Sequence, residues 1–302
     1  PLPVIISVVA TTSSNGRHPM ARVPLLAAAL LLCWLSVLYA AEPSENGRTE
    51  STANARGFWA FRHLTSPRVP REVGPTDRLR TPIDAFILRT LVRNGLSFSP
   101  DAAPNQLVRR VHFDLTGLPP TPTQARTYLT DTAPDAYERL IDRLLSSPHF
   151  GERWGRHWLD VVGYTDLVSY DGDTTGIFGF ITDRWRFRDY VIDGFNADKP
   201  YDRFLAEQLA GDEIVDWRNA TAYTPEIVAT LAATGFWRNA EDRSESAKEL
   251  EYKWSFLHNT MQTFGTGVLG LTLRCARCHD HKHEPIPQQD YYRLLSLITP
   301  AF

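Results

Sequence analysis

Apolar residues along this chain recur at intervals of three and four, the period of a helix with one buried face, and nowhere sustain the alternation of a strand. Thr81-Pro82 supplies a cap and a first-turn proline, Ile83, Phe86, Ile87 and Leu91 follow at helical spacing, and Gly95 stops the run. A second helix is predicted over 105–116, with Leu107, Val108, Val111 and Leu115 inward and Gly117 at its end. Thr121-Pro122-Thr123-Gln124 fits a capping box that opens a short helix. Tyr137, Leu140, Ile141, Leu144 and Leu145 mark an amphipathic helix, and Trp154, Trp158 and Val161 or Val162 mark one more after Pro148. Gly172, Gly176 and Gly179, with Asp171 and Asp173, make 165–183 read as a long loop. Helical patterns resume near 184–195, 201–210 and 225–235, and a longer one runs from about Glu245 to Phe264. The predicted class is all-α, mainly helical with long irregular loops and no internal repeat.

The two ends of the pattern bound this helical part. Residues 42–57 are polar and small and read as a flexible leader, so the folded domain is expected over 58–302. Before it, residues 1–19 hold no methionine and read as upstream read-through. Met20-Ala21-Arg22, an apolar run from Val23 to about Ala40, and small residues at Ala40-Ala41 have the plan of a secretory signal peptide. An uncleaved membrane anchor is the alternative, because the run is near the length that spans a bilayer. Leu30-Leu31-Leu32 before Cys33 argues against a lipidated cysteine.

Composition changes the picture in two places. Of 302 residues, 43% are hydrophobic and 11% aromatic, enough for a sizeable core, and a net charge of −3 gives no electrostatic case for a nucleic-acid partner. There are three cysteines. Removing the signal takes Cys33 and leaves Cys275 and Cys278, which excludes a disulfide-stapled secreted fold.

Those two cysteines stand in Cys275-Ala276-Arg277-Cys278-His279, the C-x-x-C-H pattern of covalent haem c attachment. Thiols three positions apart reach the two vinyl groups of one haem, and the adjacent imidazole becomes the proximal iron ligand. Attachment outside the cytoplasm agrees with the export signal. Zinc or another divalent metal, with His279, His281 and His283 completing the ligand set, is the alternative cofactor, and a redox dithiol is a third. The sixth iron position is left to Met261, to one of His63, His112, His149, His157, His258, His281 and His283, or to an open site. Asp280 and His281 are candidates to orient the proximal histidine or bind a second ion. Arg274 and Arg277 read as solvent-exposed, with pairing to haem propionates the alternative.

Several longer segments, Pro82–Ile87, Arg109–Pro122, Tyr137–Leu145, Gly151–Asp160, Phe195–Tyr201 and Cys275–Lys282, together resemble the planctomycete cytochrome c-like family PSCyt2, also called domain of unknown function 1549. The resemblance spans about residues 58–298. It implies an exported protein of planctomycete-type bacteria, placed in the periplasm or an equivalent compartment, in which a further domain often follows this one. Gly163 stands where the family usually has Arg, and His283-Glu284-Pro285 where it has aromatic-Asp-Pro.

Two other readings compete with a haem c electron-transfer module that serves an unknown redox partner. One is a haem-free, metal-dependent hydrolase or carbohydrate-processing enzyme in which Asp160, Asp166 and His281 hold the ion. Asp171 and Asp173 would complete that carboxylate cluster around the Gly-rich loop with His157 beside it; helix capping and loop solvation is the preferred reading of these residues. The other is a structural or binding protein. Trp154, Trp158, Trp185 and Trp254 read as core rather than as stacking platforms for sugars.

Overall fold

Proline opens five of the helices, at Pro82, Pro104, Pro122, Pro148 and Pro225. Its missing N–H falls where a helix has no acceptor to offer, and its fixed φ suits the first turn. The computed structural model describes residues 57–71, 78–169, 178–180, 183–239 and 249–301. All of these belong to one unit, Ala55–Phe302. The candidate signal segment, the leader up to residue 56, Asp171 and Asp173 lie outside the described residues.

The class is all-α. The helices are α1 (Pro82–Arg93), α2 (Pro104–Thr116), α3 (Pro122–Thr130), α4 (Ala136–Leu145), α5 (Pro148–Val161), α6 (Trp185–Asn196), α7 (Tyr201–Ile214), α8 (Pro225–Ala233), α9 (Glu249–Phe264) and α10 (Gln288–Ile298). The capping box at Thr121 forms as the sequence predicts. Thr121 Oγ1 accepts from the Gln124 N–H while the Gln124 amide oxygen accepts from the Thr121 N–H. At α1 the Asp84 carboxylate accepts both the Thr81 N–H and the Thr81 hydroxyl, at 2.7 and 3.1 Å, while the Asp84 N–H donates to the Thr81 backbone carbonyl at 3.1 Å.

Three expectations need correction. The loop expected over 165–183 contains a two-stranded antiparallel ribbon, β1 (Leu167–Ser169) with β2 (Phe178–Phe180), in register Leu167 to Phe180. Three residues a side is too short for an alternating pattern to stand out in sequence. Helix α1 forms where expected but buries Ala85 and Leu88, while Ile83 and Ile87 are exposed. Among the tryptophans read as core, Trp154, Trp185 and Trp254 are exposed. Trp154 and Trp185 lie along the surface, Trp154 beside Phe150 and His157 and Trp185 under the Arg186 guanidinium. Trp158 does serve the core, donating its indole N–H to Gln208 Oε1 at 2.8 Å.

The largest apolar cluster joins α5 to α8 through Leu159, Val162, Phe187, Tyr190, Val191, Phe204, Ala233 and Phe236. A Cβ added at Gly151 would stand 2.4 Å from the Ile192 carbonyl, so α5 and α6 cross closely only because this position lacks a side chain. Asn196, at the end of α6, accepts the Gly151 N–H at 2.8 Å and donates to the Pro148 carbonyl at 3.2 Å. Within this layer Glu207 is buried but fully paired, accepting from Tyr190 Oη, Lys199 Nζ and Arg203 Nε at 2.9, 2.5 and 2.7 Å. A smaller cluster of Val108, Val111, Leu140 and Leu144 packs α2 on α4.

A third cluster carries the C-terminal part and fixes the cysteine turn. Helix α9 continues into a π-turn over Gly265–Leu269 and ends at Gly270, whose φ of 65° is left-handed and favours glycine. The chain then doubles back, and Leu273 and Ala276 pack with Leu257 and Met261 of α9 and with Tyr291 and Leu295 of α10.

Candidate functional site

The C-x-x-C-H pattern sits on a 3-10 turn, Arg274–Arg277, that ends at Cys278. With three residues per turn, Cys275 and Cys278 fall on one side and Ala276 on another. Ala276 points into the core with no accessible surface, while Cys275 and Cys278 are free thiols exposed to solvent. Helix α10 holds the turn from outside, with the Gln288 side-chain amide and the Tyr292 hydroxyl donating to the Arg277 carbonyl at 3.1 and 3.0 Å.

His279 follows as an exposed ring whose Nδ1 lies 2.7 Å from the Asp280 carbonyl oxygen. A carbonyl only accepts, so Nδ1 carries a proton and Nε2 is the ring nitrogen left open. The orienting role foreseen for Asp280 is thus played by its backbone. Its carboxylate has other work, accepting the Gln288 N–H at 2.7 Å at the start of α10.

His281 is engaged in shaping the loop. Its Nδ1 accepts the backbone N–H groups of Glu284 and His283 at 3.0 and 3.3 Å, which leaves the proton on Nε2, directed at Thr272 Oγ1 at 3.4 Å. The His281 N–H also donates to the Ile286 carbonyl at 2.9 Å. With both ring nitrogens occupied, His281 is a clasp between the residues before the turn and those after it. His283 is exposed.

Among the other candidates for the sixth iron position, Met261 is sealed in the core beneath Ala276. His112 is buried, with Nδ1 2.8 Å from the carbonyl of Val108. His149 pairs with Glu152 and His157 lies edge-on to Trp154, both on the exposed side of α5. His63 is exposed in the N-terminal segment. His258 is the histidine of α9 that the fold brings to the turn. Its Nδ1 is 2.7 Å from Tyr291 Oη, and it shares a small cavity with Arg274 and Arg277. Burial, aided by the Arg277 charge, pushes the His258 pKa below its usual value and keeps the ring neutral near pH 7. Burial also raises the Tyr291 phenol to about 12. Sequence reasoning had not separated His258 from the other histidines. Its one signal was the helical offset from Met261, which puts the two on neighbouring positions of α9.

Among the described residues the carboxylates of the hydrolase reading are not drawn together. Asp160 pairs with Arg156 on its own helix at 2.8 Å, and Asp166 accepts from Tyr164 Oη and Arg188 at 2.5 and 3.4 Å. Among the described residues no three His, Cys, Asp or Glu side chains converge as a group able to hold a metal ion. No helix among them is long and apolar enough to cross a membrane.

Fold and site together define an all-α protein that presents a Cys-x-x-Cys-His turn between two helices of its C-terminal cluster. The chain belongs to the PSCyt2 family, a protein of unknown function (DUF1549), which matches it over residues 82–301, from the first residue of α1 to the turn that follows α10. No curated protein and no solved structure matches it.

Proposed function

We propose that this protein is an exported, c-type cytochrome-like electron-transfer module that carries one haem on Cys275, Cys278 and His279. The observation that supports this best is the combination of two exposed thiols on one turn with an adjacent imidazole whose Nδ1 is already committed to a carbonyl. That donor set fits the group. Each thiol would add across one vinyl, the sulfur bonding one carbon and the proton passing to the other, and Nε2 of His279 would take the iron. Bound haem supplies one-electron chemistry. The chain's own part is to orient the ligand: the Asp280 carbonyl fixes the His279 tautomer and, by accepting a hydrogen bond from Nδ1–H, makes Nε2 a better donor. The His281 clasp and α10 hold the turn at a fixed angle to the core.

Export rests on the signal-like segment before the domain, and thioether attachment in an extracytoplasmic compartment agrees with it. The metal-dependent hydrolase has less support, because Asp160, Asp166 and His281 each have other partners. The test is to mature the protein with export and haem-attachment machinery, then stain a denaturing gel for haem and weigh the intact chain. A stained band with the added mass of one porphyrin is expected. A bare polypeptide mass overturns the reading.

A further inference from the structure

Beside the cysteine turn lies a cavity of about 170 Å³ bounded by His258, Asn259, Gln262, Arg274, Arg277 and Tyr291. That is several times the ~30 Å³ that one water occupies in the liquid. No carboxylate lines it. Neither Arg274 nor Arg277 has a carboxylate partner among the described residues, unlike Arg293, which pairs with Asp290 on the same helix at 2.9 Å. The only other titratable walls are a histidine and a tyrosine joined to each other by a hydrogen bond. The cavity therefore combines two uncompensated guanidiniums, two side-chain amides and little solvent access to the Gln262 amide oxygen, which is buried without a partner. Guanidinium groups present planar paired donors that match the two oxygens of a carboxylate.

We propose that this cavity binds a carboxylate or other small oxyanion, held between Arg274 and Arg277 with the Asn259 and Gln262 amides as further donors. A water entering with the anion satisfies the Gln262 oxygen. Bound there, the anion places negative charge against the neutral His258, between two residues of the cysteine turn. The carboxylate has two possible sources, a free small acid or a propionate of an attached haem, and the cavity's chemistry is the same for both. The inference does not depend on haem being present.

The probes are succinate and inorganic phosphate, titrated at low ionic strength into the full chain as matured and into its C275S/C278S variant. Binding is read by calorimetry and by the NMR signals of the His258 ring. Saturable binding is expected, weakened tenfold or more in R274Q/R277Q and unchanged in R293Q. Binding to both forms identifies a free acid as the occupant, and binding to the haem-free form alone identifies a propionate. Should the serine variant lose its helical circular dichroism, the wild-type chain produced without haem-attachment machinery takes its place as the haem-free form. Absence of saturable binding, or equal binding by R274Q/R277Q, overturns the proposal. The haem-free arm keeps this result separate from that of the haem stain.

Discussion

The carboxylate of Asp280 accepts the backbone N–H of Gln288 at 2.7 Å, which ties the residue after His279 to the first turn of α10. Pro287, at the cap position of that helix, has no side chain able to do this. Asp280 therefore caps α10 from seven residues upstream, putting negative charge at the positive end of the helix while its carbonyl holds the His279 ring. One residue thus links the orientation of the His279 ring to the stability of the helix that clamps the cysteine turn.

Asp280→Ala is expected to lower stability by about 1 kcal/mol, the usual value of a helix N-cap. Asp280→Asn, which keeps an acceptor oxygen, should recover most of it. Urea denaturation followed by circular dichroism measures both, and equal losses would sink the capping argument.

His281→Ala leaves two backbone N–H groups without their acceptor and should cost about 1–3 kcal/mol. The loss appears as a lowered denaturation midpoint. If His281 were a ligand rather than a clasp, stability of the metal-free chain would scarcely change.

Gly151→Ala puts a methyl group 2.4 Å from the Ile192 carbonyl oxygen, so α5 and α6 must move apart. Overpacking of this kind costs about 1–3 kcal/mol. Differential scanning calorimetry should show a lower Tm; an unchanged Tm would mean that the helices separate freely.

Glu207 sets a pH dependence. Burial raises its pKa, but hydrogen bonds from Lys199, Arg203 and Tyr190 outweigh this and hold the carboxylate below its ordinary 4.5. A carboxyl with a depressed folded pKa contributes stability that is fully present above its unfolded value and is lost as the pH falls through the folded one. Stability should therefore decline on acidification below about pH 4.5. Glu207→Ala should remove that part of the decline and cost about 3–5 kcal/mol at neutral pH, because the Lys199 charge loses its buried partner. Denaturation midpoints across pH, compared between the two proteins, test this.

Much of the helical layout is legible in the sequence because its punctuation is local. Thr81-Pro82, Thr121-Pro122 with Gln124, and Gly117 state where helices begin and end without reference to the rest of the chain. The thiols and His279 are legible for the same reason, since their chemistry resides in adjacent positions. Helix α10 was missed although Pro287 precedes it and Tyr291, Leu294, Leu295 and Ile298 carry its period. Its cap comes from Asp280, outside any window that scans for a neighbouring cap residue. The roles of His258 and His281 were hidden because they depend on which distant groups the fold brings near, Tyr291 in one case and Thr272 in the other. The face of α1 was misjudged because large aliphatic residues were weighted over Ala85, which the packing prefers.

Ala276 has no accessible surface although it stands between two exposed cysteines. The two intervening positions of the pattern are therefore unequal under substitution. A library randomised at 276 should return only alanine and glycine among folded members, because a longer side chain must displace Leu273 or Leu295. At 277 the side chain is exposed at the rim of the His258 cavity and only its backbone carbonyl is held, so tolerance for folding there is broad. Evolutionary freedom in the spacer is confined to one letter.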